Sequence, residues 1–294
     1  MKRLPTVVAA IVLGIATCSP AGEPAREKVT PSTPVERASV AKLTRLRNVR
    51  MRWDEHNRVT GISMKGADAN DWAVALASNL PTVKSMTLVT LPHNGLSDGG
   101  LAPLMRLTGL ELLSISGNQI SDAGLLHLAG KTRLHTLILN GNFTDAGLVT
   151  ISSLPNLEHL DMTQAHVTDL GMTHVANIPN LHTLILNGTQ ITSGGIEQLI
   201  AVNPLTHLHL ANTRIDDSAA EHLTKLKGLK TLNIHGTAIT QQKLLEMQSA
   251  FFADCEIIHH TMICKGTGGA RNGELDFAQS PSTSVPVTTW RAPR

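Results

Sequence analysis

Leu110-Glu111-Leu112-Leu113-Ser114-Ile115-Ser116-Gly117-Asn118-Gln119-Ile120-Ser121-Asp122-Ala123-Gly124-Leu125 decides the fold. The first half alternates apolar and polar side chains, the period of a strand buried on one face. The second half has Ser-Asp as a helix start signal, followed by apolar residues at helical spacing through Leu125 and Leu128. One strand and one short helix cannot bury their own apolar faces. The stretch therefore makes sense only as one layer of a stack.

Moving outward, the same spacing recurs. Leu-x-x-Leu-x-Ile or its equivalent starts at Leu110, Leu134, Leu157, Leu181, Leu205 and Leu229, at intervals of 24, 23, 24, 24 and 24 residues. Weaker copies start at Val59 and Val83, so eight layers are expected. The composition agrees: the chain has no Tyr, four Phe and three Trp, so aliphatic side chains must fill the interior. The copy at Val83 has three extra residues around Leu91-Pro92-His93, which predicts a bulge after its strand. The copy at Leu134 is one residue short, and Phe143 stands where the others have Ile or Val, which predicts a large side chain filling a shortened turn.

On these residues the chain resembles leucine-rich-repeat proteins with repeats of about 24 residues, of the GALA or ribonuclease-inhibitor-like kind, over residues 59–258. The resemblance implies an α/β solenoid: a horseshoe with a parallel inner sheet and short helices outside. It implies little about ligand, because the repeated residues are those that build the scaffold. No F-box, such as plant-pathogen GALA effectors carry, precedes residue 59, so a ubiquitin-ligase role is not inferred.

The flanks divide further. Residues 1–22 read as an export signal: Lys2 and Arg3, a short apolar run from Val7 to Ala16, then the small residues Thr17, Cys18, Ser19 and Ala21. The run is well short of the roughly 20 residues that span a bilayer. Ile15-Ala16-Thr17-Cys18 resembles a bacterial lipobox, which makes Cys18 a lipidation candidate, although that pattern prefers Gly, Ala or Ser at Thr17. Cleavage after Ala21 is the alternative, and both place the mature chain outside the cytoplasm. Residues 23–42 read as a flexible tether, 43–58 as an N-terminal cap, 59–250 as the repeats, 251–265 as a C-terminal cap and 266–294 as a disordered tail.

Asn118, Asn142, Thr189, Thr213 and Thr237 share one repeat position and read as turn residues that satisfy backbone groups. Asp122, Asp145, Asp169 and Asp217 share another and read as helix starts. These columns stack rather than converge, which argues against paired carboxylates for acid–base work. There is no serine-nucleophile motif, phosphate loop or HExxH, so no catalytic residue, metal site or cofactor is expected. A net charge of +2 gives no ground for a nucleic-acid partner. Cys255 and Cys264 are candidates for a disulfide across the C-terminal cap, with free thiols as the alternative.

Between the repeated Leu residues, side chains point off the inner sheet. Glu111, His135, Glu158 and His182 form a ladder of alternating character. His159, Asp161, His207, His209, Asn233 and His235 are expected to face the concavity together and to form a binding patch for a protein or another macromolecule. Two rival readings remain: an envelope component that binds its own copies or the wall, and a metal-dependent enzyme using the His/Asp patch. A basic stretch, Lys42, Arg45, Arg47, Arg50 and Arg52, precedes the first repeat and reads either as a solvated cap or as a contact for anionic lipid or polysaccharide.

Overall fold

A computed structural model describes residues 33–90, 95–117, 119–202, 204–251, 255–259, 262–264 and 288–290. The export signal, Cys18, the extra residues 91–93 and most of the tail lie outside the described residues.

The eight expected strands are all present. They are β2 (Val59–Lys65), β3 (Ser85–Val89), β4 (Leu112–Gly117), β5 (Thr136–Gly141), β6 (His159–Asp161), β7 (Thr183–Ile185), β8 (His207–His209) and β9 (Thr231–Asn233). A ninth, β10 (Glu256–His259), continues the stack, and all nine run parallel with neighbours paired in chain order. The register is constant, with Leu113, Leu137, Leu160, Leu184, Leu208 and Leu232 aligned across the sheet. Each of these leucines is essentially inaccessible to solvent. Their columns, with Ile115, Leu139, Met162, Leu186, Leu210 and Ile234 beside them, make one continuous aliphatic core. Each buried Leu contributes about 2 kcal/mol through loss of apolar contact with water.

Short helices return each layer to the next strand: α2 (Asp71–Ala77), α3 (Asp122–Leu125), α4 (Asp145–Ile151), α5 (Asp169–Val175), α6 (Ser193–Leu199), α7 (Ala219–Leu223) and α8 (Gln241–Phe251). In the copy that starts at Val83 the return is a 3-10 stretch, Gly99–Arg106, with Pro103 inside it. Strands stack about 4.8 Å apart, whereas helices need about 8–10 Å, so the sheet lies on the inside of the curve. Phe143 is fully buried, the bulkiest such side chain in the core, and fills the shortened layer as expected.

The ends differ from expectation. The tether of residues 23–42 is helical from Pro34, as α1 (Pro34–Leu43), with Thr33 as its N-cap accepting from the Glu36 N–H. Pro at the first helical position is pre-organised for that geometry, and α1 packs on α2 through Ser39 and Leu43. Strand β1 (Val49–Trp53) then pairs antiparallel with β2 and covers that edge. At the other end β11 (Met262–Cys264) turns back antiparallel on β10, and β12 (Thr288–Trp290), within the tail read as disordered, pairs parallel with β11. Among the described residues no helix is long and apolar enough to cross a membrane.

Candidate functional site

The register sorts the predicted patch into three columns. His159, Thr183, His207 and Thr231 lie side by side on β6 to β9, as do Asp161, Ile185, His209 and Asn233. His235 follows β9 in a third column and is exposed. The six residues thus share the inner face, but they do not converge. His159 and His207 are two strands apart, about 10 Å, with buried Thr183 between them. Asp161 and His209 are likewise separated by buried Ile185.

Each polar group is held locally. The Asp161 carboxylate accepts from the Thr163 N–H (2.9 Å) and hydroxyl (2.6 Å), so it is turned along its own strand rather than toward a histidine. Burial raises its pKa above the ordinary carboxylate value despite these bonds. The His207 Nδ1 meets the Thr206 hydroxyl at 2.8 Å, and Asn233 Oδ1 accepts from the His235 N–H at 3.0 Å. His159 Nδ1 is buried without a hydrogen-bond partner. Burial depresses the pKa of His159, His207 and His209, and repulsion from neighbouring imidazoles, with Lys230 for His207, adds to it. Glu158 opposes this at His159. Among the described residues no three metal-type side chains are grouped to hold an ion. The inner face is therefore a set of separated imidazoles and one carboxyl with small hydroxyl and apolar side chains between them, and burial disfavours the charged form of His159, His207 and His209.

Two apolar residues of this face were not singled out from the sequence. Ile138 and Ile185 occupy the column of Asp161, one on each side of it. They sit between the buried leucines of their strands, at the positions that point off the sheet, so the alternation itself carried the signal. Beside them Glu111, His135, Glu158 and His182 follow one another through backbone hydrogen bonds, and the ion pair on this column is to Lys84, which meets Glu111 at 3.0 Å.

The other columns are scaffold. Thr189, Thr213 and Thr237 each donate to the carbonyl three residues back. Asn118 lies outside the described residues. The aspartates are not the helix caps: Ser121, Thr144, Thr168 and Thr192 accept from the N–H two residues on and fill that role. Each Asp instead reaches across to the next layer. The Asp122 carboxylate accepts from the Thr144 N–H (2.9 Å) and hydroxyl (2.5 Å), and Asp145 does the same with Thr168, Asp169 with Thr192 and Asp217 with Thr240. A 23-residue separation places this bond beyond any local pattern.

Cys255 is a buried free thiol, its pKa pushed up to about 12 by burial, and the bridge to Cys264 is not formed. The hairpin register is the reason: Cys264 stands opposite Ile257, two residues beyond Cys255. A thiol with so high a pKa is a packing group rather than a nucleophile.

Comparison with known proteins agrees with this architecture. Residues 108–129 and 153–176 match the family described as Leucine Rich repeat. A search of curated proteins finds no match. Among solved structures, an internalin C2 from Listeria monocytogenes aligns at 22% identity and a TM-score of 0.49, covering 67% of this chain and 83% of that one. An internalin (inlF) from the same organism aligns at 21% identity and a TM-score of 0.47, covering 63% of this chain and 56% of the internalin, so the chain spans little more than half of that relative. A plant ice-binding protein aligns at 16% identity and a TM-score of 0.43, covering 73% of this chain and 69% of that one. The repeat geometry and the family match make the chain a leucine-rich-repeat solenoid.

Proposed function

We propose that this chain is an exported protein that binds another macromolecule, a protein partner, on its inner sheet face. Leucine-rich-repeat proteins act as protein-binding modules, and the same scaffold is present here. The observation that carries the reading is the composition of the inner columns: His159, Asp161, His207, His209, Asn233 and His235 around the apolar Ile138 and Ile185. Burial already disfavours the charged form of His159, His207 and His209, so these imidazoles beside aliphatic side chains cost less to desolvate than full charges, which suits a protein interface. The rigid stack presents these side chains pre-organised, so little entropy is lost on binding. Export rests on Lys2, Arg3 and the apolar run from Val7 to Ala16, with Cys18 as the lipid attachment point if cleavage falls before it. The reading contains no catalytic step.

The test is affinity capture from a native envelope fraction, comparing the full chain with a D161A/H207A/H209A variant of the same length. A partner retained by the first and lost by the second, both folded by circular dichroism, supports the inner-face site. Equal retention by both moves the site elsewhere on the solenoid. Retention of only more copies of the chain replaces the reading with a self-associating envelope component.

A further inference from the structure

We infer that the N-terminal end of the solenoid is a docking surface for an anionic lipid bilayer. Lys42 at the end of α1, Arg45 and Arg47 in the following turn, and Arg50 on the outermost strand β1 are all exposed. Among the described residues none of the four forms an ion pair. Among the acidic groups around this end, Asp54 is held by Arg58 at 2.9 Å, Glu55 lies against His56 at 3.5 Å, and Asp68 accepts from the Asn48 N–H at 2.9 Å, while Glu36 lies on α1 six residues before Lys42. Arg52, two residues on and so on the same face of β1 as Arg50, is tied down by donating to the Ser85 hydroxyl and is not counted among the four.

Three features favour a membrane over a soluble polyanion. The cations come from a helix end, a turn and the inner face of an edge strand, so they are spread over one end of the molecule rather than along a single strand or helix. Large apolar side chains are exposed on the same two elements: Val35 at 58%, two turns before Lys42 on α1, and Trp53 at 38%, at the end of β1. An indole at such a boundary is suited to the headgroup layer, with its apolar body inward and its N–H in water. Finally, the chain enters the fold at this end. Cys18 precedes Thr33 by 15 residues, a reach of about 50 Å at most, so a lipid-anchored chain holds this face within range of the bilayer. Each cation near an anionic surface raises partitioning about fivefold. This surface is separate from the inner-face patch and does not rest on it.

The experiment is co-sedimentation of the full chain with vesicles of phosphatidylcholine, alone or with one-third phosphatidylglycerol. The leader, with its apolar run and its Lys2 and Arg3, is common to every variant, so the change between variants in the ratio of the two partition coefficients isolates the charge of the N-terminal end. That ratio is expected to exceed one, to fall with added salt, and to drop at least about tenfold in a K42Q/R45Q/R47Q/R50Q variant. A control, R106Q/R133Q/R214Q/K227Q, loses the same net charge from exposed positions elsewhere and is expected to keep the wild-type ratio. An equal drop in both variants, or no preference for anionic vesicles in the wild type, overturns the proposal. Binding to soluble alginate without binding to vesicles replaces the bilayer with an acidic polysaccharide.

Discussion

At the scale of single residues, one exchange explains the pattern of the central layers. From Gly100 through Gly124, Gly147 and Gly171 to Gly195 the glycine is needed because a Cβ there would collide with the Asp of the preceding layer: at Gly147 it would lie 2.5 Å from Asp122 Oδ1, and at Gly195 2.5 Å from Asp169 Oδ1. In the α7 layer the corresponding residue is Ala219, and the preceding layer carries Ser193 in place of Asp. The bond survives with its partners exchanged: Ser193 donates to Asp216 at 2.8 Å, and Asp216 occupies the position of the usual Ser or Thr. Gly147→Ala is therefore expected to cost about 2 kcal/mol by overpacking, and Asp122→Ser about 1.5 kcal/mol by loss of the charged bonds. The double variant is expected to cost about 1 kcal/mol less than the two together, as measured by a denaturant double-mutant cycle. Strict additivity would show that the glycine serves some other need.

Lys131 is a second local solution. It occupies a core position held by Leu154 and Ile178 in later repeats, and its ammonium donates to the carbonyls of Leu104 (2.7 Å), Met105 (3.0 Å) and Leu107 (3.0 Å). The Leu104 and Leu107 carbonyls also accept from the Leu107 and Leu110 N–H groups, whereas the ammonium is the donor to Met105 at the end of this 3-10 stretch. Lys131→Ala removes the three bonds and opens a cavity, and a loss of about 3 kcal/mol in chemical denaturation is expected. Burial lowers the pKa of this lysine. Since the folded chain then releases its proton before the unfolded chain does, this site's contribution to stability increases as pH rises toward the ordinary 10.5.

At the scale of the repeat, the inter-layer bond predicts which layers are interchangeable. Removing residues 157–180 brings Asp145 opposite Thr192 with Gly195 beneath it, and every part of the usual contact is retained. Removing residues 181–204 instead sets Asp169 against Asp216, two carboxylates, with the Cβ of Ala219 in the space a glycine normally leaves. Both deletions take 24 residues and keep the leucine register. The first is expected to give a folded, shorter solenoid by thermal melting, whereas the second is expected to melt lower by about 10 °C. Equal melting temperatures would remove the Asp column from the account of layer-to-layer stability.

For the whole molecule, the depressed imidazoles of His159, His207 and His209 set a pH dependence. Below the ordinary histidine value of 6.5 the unfolded chain takes up protons that the folded chain still refuses, so stability falls as pH falls, until the folded imidazoles also protonate. Asp161 acts in the opposite sense at lower pH, because its raised pKa lets the folded state bind a proton first. Thermal melts are expected to drop between about pH 7 and about pH 5, and an H159Q/H207Q/H209Q chain is expected to lose most of that drop. An undiminished slope in that variant would assign the dependence to groups off the inner face.

The strands, their period, the buried leucine columns and the role of Phe143 were legible in the sequence, because each depends on spacing within one layer and the layer is repeated. The inner-face membership of His159, Asp161, His207, His209, Asn233 and His235 followed from the same alternation. What the sequence did not reveal was contact between layers. The Asp-to-Thr bonds and the lysine that ends a neighbour's helix depend on which atoms meet across 22 to 27 residues, and the offset of Cys255 from Cys264 depends on the register of the closing hairpin. The physical reason is that hydrophobic periodicity is one-dimensional and survives in the chain order, whereas hydrogen bonds and side-chain separations depend on how the layers are stacked, which only the tertiary structure decided.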